Sequence, residues 1–269
     1  MWSFTEDIAA FPEAAFEYMR RDPVRNTVPL TVMAGVRDGM PSAGAFFGWW
    51  STGGRVGGVA FRTPPSPVGL ALMPVEAVAE LALALGERHI PSVMGRRDLA
   101  RAFAEARKAP TDTVVEERLY RLGTLTPPQV PGRGRRAVAG DFPLLVSWYQ
   151  AFGAEVLVGN RGDVEDKVRH RLAAGDLFLW EDDGAPVSMA ALSPSAGGVS
   201  RIGPVYTPPS RRRRGYAAAV TAHVSNTGLA ERCRQVVLFA DLANSTSNSV
   251  YRSIGYEPVD DFSHIVFAD

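Results

Sequence analysis

The chain has 269 residues, 29 basic and 29 acidic side chains, one cysteine and 46% hydrophobic residues. Each half is neutral as well, 14 against 14 over residues 1–132 and 15 against 15 over residues 133–269, which argues against a nucleic acid or an anionic membrane as partner, since both select a net basic face. The length allows about two domains, 26 glycines and 20 prolines stay below the roughly 25% share that marks disorder, and Cys233 with four scattered histidines offers neither an internal disulfide nor a zinc site.

The start, Met1–Asp7, is acidic where a signal peptide would be basic, and no apolar run nears the roughly 18 residues of a membrane span. A cytoplasmic protein is the expectation. Residues 5–20 have the apolar spacing of an amphipathic helix, with Ile8, Phe11, Ala15, Tyr18 and Met19 on one face. Strands are expected at 28–36, 44–50 and 55–61, then a short strand from Val68 to Met73 ended by Pro74, a helix from Val75 to Gly86, a helix at 97–108 and a strand near 114–122.

Thr126-Pro127-Pro128-Gln129-Val130-Pro131-Gly132 reads as a linker, because its prolines continue neither helix nor sheet. After it come strand 134–139, helices 141–152 and 163–174, strand 176–181, a turn at Asp182-Asp183-Gly184, and strands 186–193 and 199–206. Helix 211–226, strand 235–241, helix 247–254 and strands 256–260 and 262–267 complete the order. Hairpins followed by β-α-β units imply a mixed sheet with helices on both faces.

One segment carries chemistry. In Val205-Tyr206-Thr207-Pro208-Pro209-Ser210-Arg211-Arg212-Arg213-Arg214-Gly215-Tyr216-Ala217-Ala218 a strand stops at two prolines, a basic loop follows, and a helix starts at glycine. The free N–H groups and positive dipole end of a helix N-terminus suit a phosphate, and the arginines add charge-assisted bonds. This pattern fits a pyrophosphate site; a solvated helix start is the plainer alternative.

Arg212, Gly215 and Ala217 match the Arg/Gln-x-x-Gly-x-Gly/Ala pattern of motif A of the GNAT superfamily of N-acetyltransferases, and Asn244, Tyr251, Gly255 and Tyr256 match its motif B. Residues 133–269 therefore resemble a GNAT domain, most closely that of the bacterial group related to glycine N-acyltransferases. The resemblance implies a splayed, mixed β-sheet flanked by helices, with acetyl-CoA as cofactor. Val205, Tyr206 and Thr207 would bond the pantetheine arm, and the segment from Arg212 through Arg213, Arg214, Gly215, Tyr216 and Ala217 to Ala218 would hold the pyrophosphate. Asn244 would bond the arm or assist a water. Tyr251 would protonate the departing thiolate, and the Val205 N–H would steady the oxyanion.

No carboxylate stands on 199–205 where many relatives place a base. Asp241 is the candidate, or else a cap for the loop holding Asn244; Glu181 and His264 are lesser ones. His223 is expected to pack on the sheet, and Cys233 to be an inert thiol at the surface or a strand edge. Residues 44–86 repeat the order hairpin, strand, proline, helix found around 185–226, without the basic loop or its glycine. The expected organisation is thus two tandem GNAT-like halves: a degenerate 1–125, a linker 126–132 and a catalytic 133–269. Trp49, Trp50 and Phe61 would belong to its core or to an acceptor cleft. The function implied is transfer of acetyl to a primary amine of a small acceptor; the alternative is an acyl-CoA-binding regulatory module without transfer.

Overall fold

The computed structural model describes residues 1–156 and 163–268. The chain divides into two units, one of Met1–Leu119 with the segment from Asp260, the other of Tyr120–Val259. Both boundaries fall inside strands, so 260–268, expected with the second half, complete the first unit. The stretch 126–132 lies in the second unit, where Thr126 N–H donates to the Ile254 carbonyl and Trp180 Nε1 to the Pro131 carbonyl.

The first unit is α/β. Its elements are β1 (Trp2–Thr5), α1 (Glu13–Arg20), α2 (Thr27–Arg37), β2 (Phe46–Thr52), β3 (Arg55–Arg62), β4 (Val68–Leu70), α3 (Val75–Ala84), β5 (Ser92–Arg96), α4 (Arg97–Arg107) and β6 (Thr111–Leu122). β6 leaves the unit at Leu119. The strand order runs β1-β2-β3-β4-β5, then the C-terminal stretch of the last strand, then β6. Three expectations change here. Residues 5–20 are a strand end, a 3-10 turn at Ile8–Ala10 capped by Asp7 and then α1, because Pro12 starts the helix proper. Residues 28–36 are helix despite their β-branched content, since Leu30, Met33 and Val36 bury at helical spacing. β5 was not expected at all. Trp49 packs edge-on to Phe11 at 5.7 Å, and Trp50 Nε1 donates to Glu80.

The second unit adds β7 (Arg133–Arg136), α5 (Phe142–Glu155), α6 (Val164–Ala173), β8 (Leu177–Asp182), β9 (Ala185–Leu192), β10 (Val199–Tyr206), α7 (Tyr216–Glu231), β11 (Gln235–Asp241), α8 (Ser245–Ser253) and the start of β12 (Tyr256–Phe267). Its strands run β11-β10-β9-β8-β7. The last strand is one element where two were expected. Both sheet faces are buried, and the strands alternate accordingly: Leu177, Leu179, Met189 and Ala191 face the α5–α6 layer, while Phe178, Ala190 and Leu192 share a core with Ala218, Val220 and Val224 of α7.

The C-terminal stretch of β12 lies beside β5 in register Phe262↔Arg96 to Val266↔Ser92. Ion pairs Arg25–Asp260 (2.8 Å) and Arg118–Asp261 (2.7 Å) hold it in the first unit. Within this stretch burial pushes the His264 imidazole down to about 4, and its Nε2 has no hydrogen-bond partner among the described residues. The unfolded imidazole takes its proton near 6.5 and the folded one near 4, so the unfolded chain binds more protons in between and stability falls as pH drops through that window. His264→Gln is expected to remove on the order of 2 kcal/mol of this acid-side loss, measured as urea midpoints from pH 7 to pH 4; parallel curves for the two proteins would refute it.

Candidate functional site

The site grows from the way β10 parts from β11. The two pair in parallel from Val199↔Gln235 to Ile202↔Leu238; β10 then runs on to Tyr206 and β11 to Asp241 without further pairing among the described residues. On its other edge β10 slips register against β9 between Ile202 and Val205, which accommodates one extra residue. Gly203 has φ +154, a conformation other residues rarely adopt, and Pro204 has no N–H to offer a ladder. The segment after the bulge is held by side chains. Arg171 Nη1 donates to the Gly203 carbonyl at 2.9 Å, Ser188 Oγ to the Tyr206 carbonyl at 3.0 Å, and Arg212 Nε to the Thr207 carbonyl at 2.9 Å.

A 3-10 turn at Pro209–Arg211 leads into the arginine loop, which delays α7 to Tyr216 from the expected 211. Arg213 at φ +61 and Gly215 at φ +82 are both left-handed, and such alternation turns successive N–H groups to one side of a loop. A Cβ on Gly215 would stand 2.7 Å from Val130 Cγ2, so the loop is also seated closely on 126–132. Among the described residues no side chain caps α7, and no acid lies in its first turn. Its first backbone bond runs from Ala219 N–H to the Gly215 carbonyl, which leaves the N–H groups of Tyr216, Ala217 and Ala218 at the helix mouth without intrahelical acceptors. α6, by contrast, is capped by Asp163, and α8 by Asn244.

The candidates divide into those that face out and those already engaged. Arg212 is engaged: it grips the Glu155 carboxylate at 2.6 and 2.8 Å and lies 5.8 Å over the Tyr206 ring. Its charge is matched, and it braces the loop against Thr207. Tyr216 turns inward and donates to Asp182, a bond that raises its pKa, so it presents its N–H alone. Arg211, Arg213 and Arg214 are exposed and pair with no carboxylate among the described residues. Tyr206 is buried beside Trp148, and Thr207 Oγ1 meets Ser188 Oγ at 2.8 Å.

On the other side of the splay, Asn244 caps α8 by accepting from Ser247 N–H at 2.9 Å. Asp241 accepts from Ala243 N–H at 2.8 Å and so caps the loop that holds Asn244. Tyr251 is 9% exposed, edge-on to Tyr256 at 6.2 Å, and burial pushes its phenol up to about 12. Among the described residues its hydroxyl has no hydrogen-bond partner.

Of the lesser candidates, Glu181 is bound to Arg135 at 2.6 Å, and His264 belongs to the first unit. His223 packs edge-on to Phe178, with its pKa lowered by burial and by Arg136. Cys233 is buried, with its thiol directed at the Gly228 carbonyl, instead of lying at the surface.

Asn248 went unnoticed in the sequence and organises the α8 side. It is buried, accepts from Tyr120 Oη at 2.8 Å, and donates to the carbonyls of Asp241 and Asn244 at 2.7 Å each. Its signal was an amide three residues before Tyr251, on the same core-facing side of the helix.

Residues 183–264 match the family model described as FR47-like protein. Among solved structures, a GNAT-family acetyltransferase from Colwellia psychrerythraea aligns over 100% of both chains at 11% identity, with a TM-score of 0.68. A GCN5-related N-acetyltransferase from Sphaerobacter thermophilus aligns over 98% of this chain and 94% of its own at 17% identity and 0.64. A tandem GNAT protein from the clavulanic acid biosynthesis pathway aligns over 98% of each chain at 11% identity and 0.59. No curated protein matches the chain. No helix among the described residues is long and apolar enough to cross a membrane.

Asn248→Ala strips the Tyr120 hydroxyl of its buried acceptor and the Asp241 carbonyl of a donor. We expect a loss of about 2–4 kcal/mol in denaturant unfolding, part of it recovered when Tyr120→Phe is added. Equal additive losses from the two substitutions would mean the amide does not bridge them.

Proposed function

We propose that this chain, a GNAT-superfamily protein by its fold and its FR47-like segment, transfers an acetyl group from acetyl-CoA to a primary amine of a small acceptor. The observation that carries the proposal is the meeting of two features on one strand: β10 leaves β11, and the same chain continues into an uncapped helix mouth behind a left-handed basic loop. A splay offers backbone to an extended amide-bearing arm, and the helix mouth offers N–H groups and positive charge to a pyrophosphate. The residues present fit acetyl-CoA on those grounds.

In this proposal the N–H groups of Tyr216, Ala217 and Ala218 with Arg213, Arg214 and the Gly215 turn hold the phosphates, Arg212 keeps the loop shaped, and the backbone of Val205, Tyr206 and Thr207 lines the arm. The bound thioester supplies an activated acyl carbon, whose C–S bond is exchanged for a C–N bond to the neutral amine. The Val205 N–H is assigned to the carbonyl oxygen as charge gathers there. Tyr251 gives its Oη proton to the departing sulfur, and burial keeps that phenol protonated across the working pH range. Asn244 presents its Nδ2 to the arm while its Oδ1 caps α8. Asp241 has one oxygen committed to Ala243 N–H, which leaves the other to take the amine's proton. The first unit is assigned as a GNAT-like half without a cofactor site, and the protein as cytoplasmic.

Two measurements test this. Gly215→Glu, and Ala217→Glu in the helical first turn where no left-handed strain applies, should each abolish thermal stabilisation by acetyl-CoA with unchanged far-ultraviolet dichroism; undiminished stabilisation in both removes the loop from the site. Tyr251→Phe should lower kcat by about a hundredfold or more with acetyl-CoA affinity held within a few-fold, and wild-type activity should show no alkaline fall from this phenol below about pH 11. Tight acetyl-CoA binding with no thiol release over a broad amine panel would identify a binding module instead.

A further inference from the structure

The α5–α6 side of the bulge carries a pair of cations with no counter-ion among the described residues. Arg171 and Lys167 lie one turn apart on α6, on the side adjoining buried Val168, a spacing that sets the two side chains beside each other. Arg171 sends Nη1 to two neutral acceptors, the Tyr149 hydroxyl at 3.1 Å and the Gly203 carbonyl at 2.9 Å. Its Nε and Nη2 donors make no bond among the described residues, and neither cation is in an ion pair there. The neighbouring acids are taken: Asp163 caps α6, Asp166 pairs with Arg169, and Asp176 pairs with Arg232. Both cations are half-buried. Burial first, and the Arg171 charge second, lower the Lys167 ammonium.

Arg171 is also tied to the point where β10 breaks register. The cation pair therefore sits at the splayed strand, on the face opposite the α7–α8 core that holds Tyr251. A guanidinium edge with two unused donors beside an ammonium matches the two oxygens of a carboxylate, and such a partner would resolve the unmatched charge. We propose that Arg171 and Lys167 bind a carboxylate on the acceptor amine, so that the substrate class is acidic amines and amino acids. This rests on the transferase proposal for which acceptor is consumed; the anion site itself rests on the geometry of α6 and the β10 bulge.

The test uses matched pairs, each α-amino acid against its own α-carboxamide, with acetyl-CoA saturating and thiol release as the readout. Wild-type protein should prefer the acid of at least one pair by on the order of tenfold to a hundredfold in kcat/KM. That ratio should fall to about one in both Arg171→Gln and Lys167→Gln, with KM for acetyl-CoA unchanged in Lys167→Gln. The Lys167 side chain makes no hydrogen bond to the protein among the described residues, so its variant keeps the readout free of any loosening of the bulge. Equal rates for acid and amide in wild type, or a preference that survives in Lys167→Gln, overturns the proposal. Should no amine be acetylated at all, the transferase proposal fails, and calorimetric titration of the same amino acids in the presence of coenzyme A decides the site. Heat seen in wild type and lost in Lys167→Gln upholds it, and no heat in wild type overturns it.

Discussion

The second unit is organised by a parallel ladder that stops early. After Ile202 and Leu238, β10 and β11 no longer satisfy each other, and a half-buried backbone that gives up its ladder must find other partners. The Gly203, Tyr206 and Thr207 carbonyls find them in Arg171, Ser188 and Arg212, which come from α6, β9 and the arginine loop. Each donor is charged or buried, so each bond is stronger or harder to replace than an exposed one. The opening is thus held by three side chains from three elements and not by a lack of structure.

The same bonds connect parts of the site that the chain places far apart. Arg212 joins the loop before α7 to the end of β10 and to Glu155 at the end of α5. Arg171 joins α6 to the bulge of that strand. Across the splay, Asn248 binds the Asp241–Asn244 turn to Tyr120, so the helix bearing Tyr251 is fixed from its first turn. The strand, the loop and α8 are each clamped by polar side chains that bond inside the protein, and the groups that remain are a helix mouth, three exposed arginines, Lys167 and the outer edge of the Arg171 guanidinium. Zero net charge agrees with this division, since ion pairs to carboxylates engage much of the arginine among the described residues.

Local rules made most of the second unit legible. Pro208-Pro209 ends a strand, Gly215 precedes a helix, Asp163 caps one, and alternation marks β8 to β10; none of these depends on distant contacts. What failed was decided by distant ones. α2 is rich in β-branched residues and becomes helix because its apolar side chains bury at three-residue spacing. β5 is five residues ending in Gly-Arg, too short to announce itself without the strand that pairs with it. The unit boundary was invisible because it crosses β6 and β12 inside continuous strands, and Pro258, beside the second crossing, does not end its strand. Arg212 matched a motif, but nothing in the motif says that Glu155 takes its charge.

The first unit shows what happens when the same order of elements lacks those devices. Just past β4, the Leu72 N–H is taken by the Asn26 amide at 2.9 Å and its carbonyl by the Tyr18 hydroxyl at 3.1 Å, so the backbone that would line an arm is filled by the unit's own α1 and the cap of α2. The helix that follows begins at Pro74, has no left-handed glycine before it, and carries Glu76 in its first turn. A carboxylate there satisfies the helix dipole and repels an anion. In α7 the first turn is Tyr-Ala-Ala and the dipole is left unsatisfied, so a phosphate there would gain the interaction that Glu76 already makes in α3. The two helix N-termini therefore differ in whether the chain itself supplies the negative charge: Glu76 does so in α3, and no acid in the first turn does so in α7.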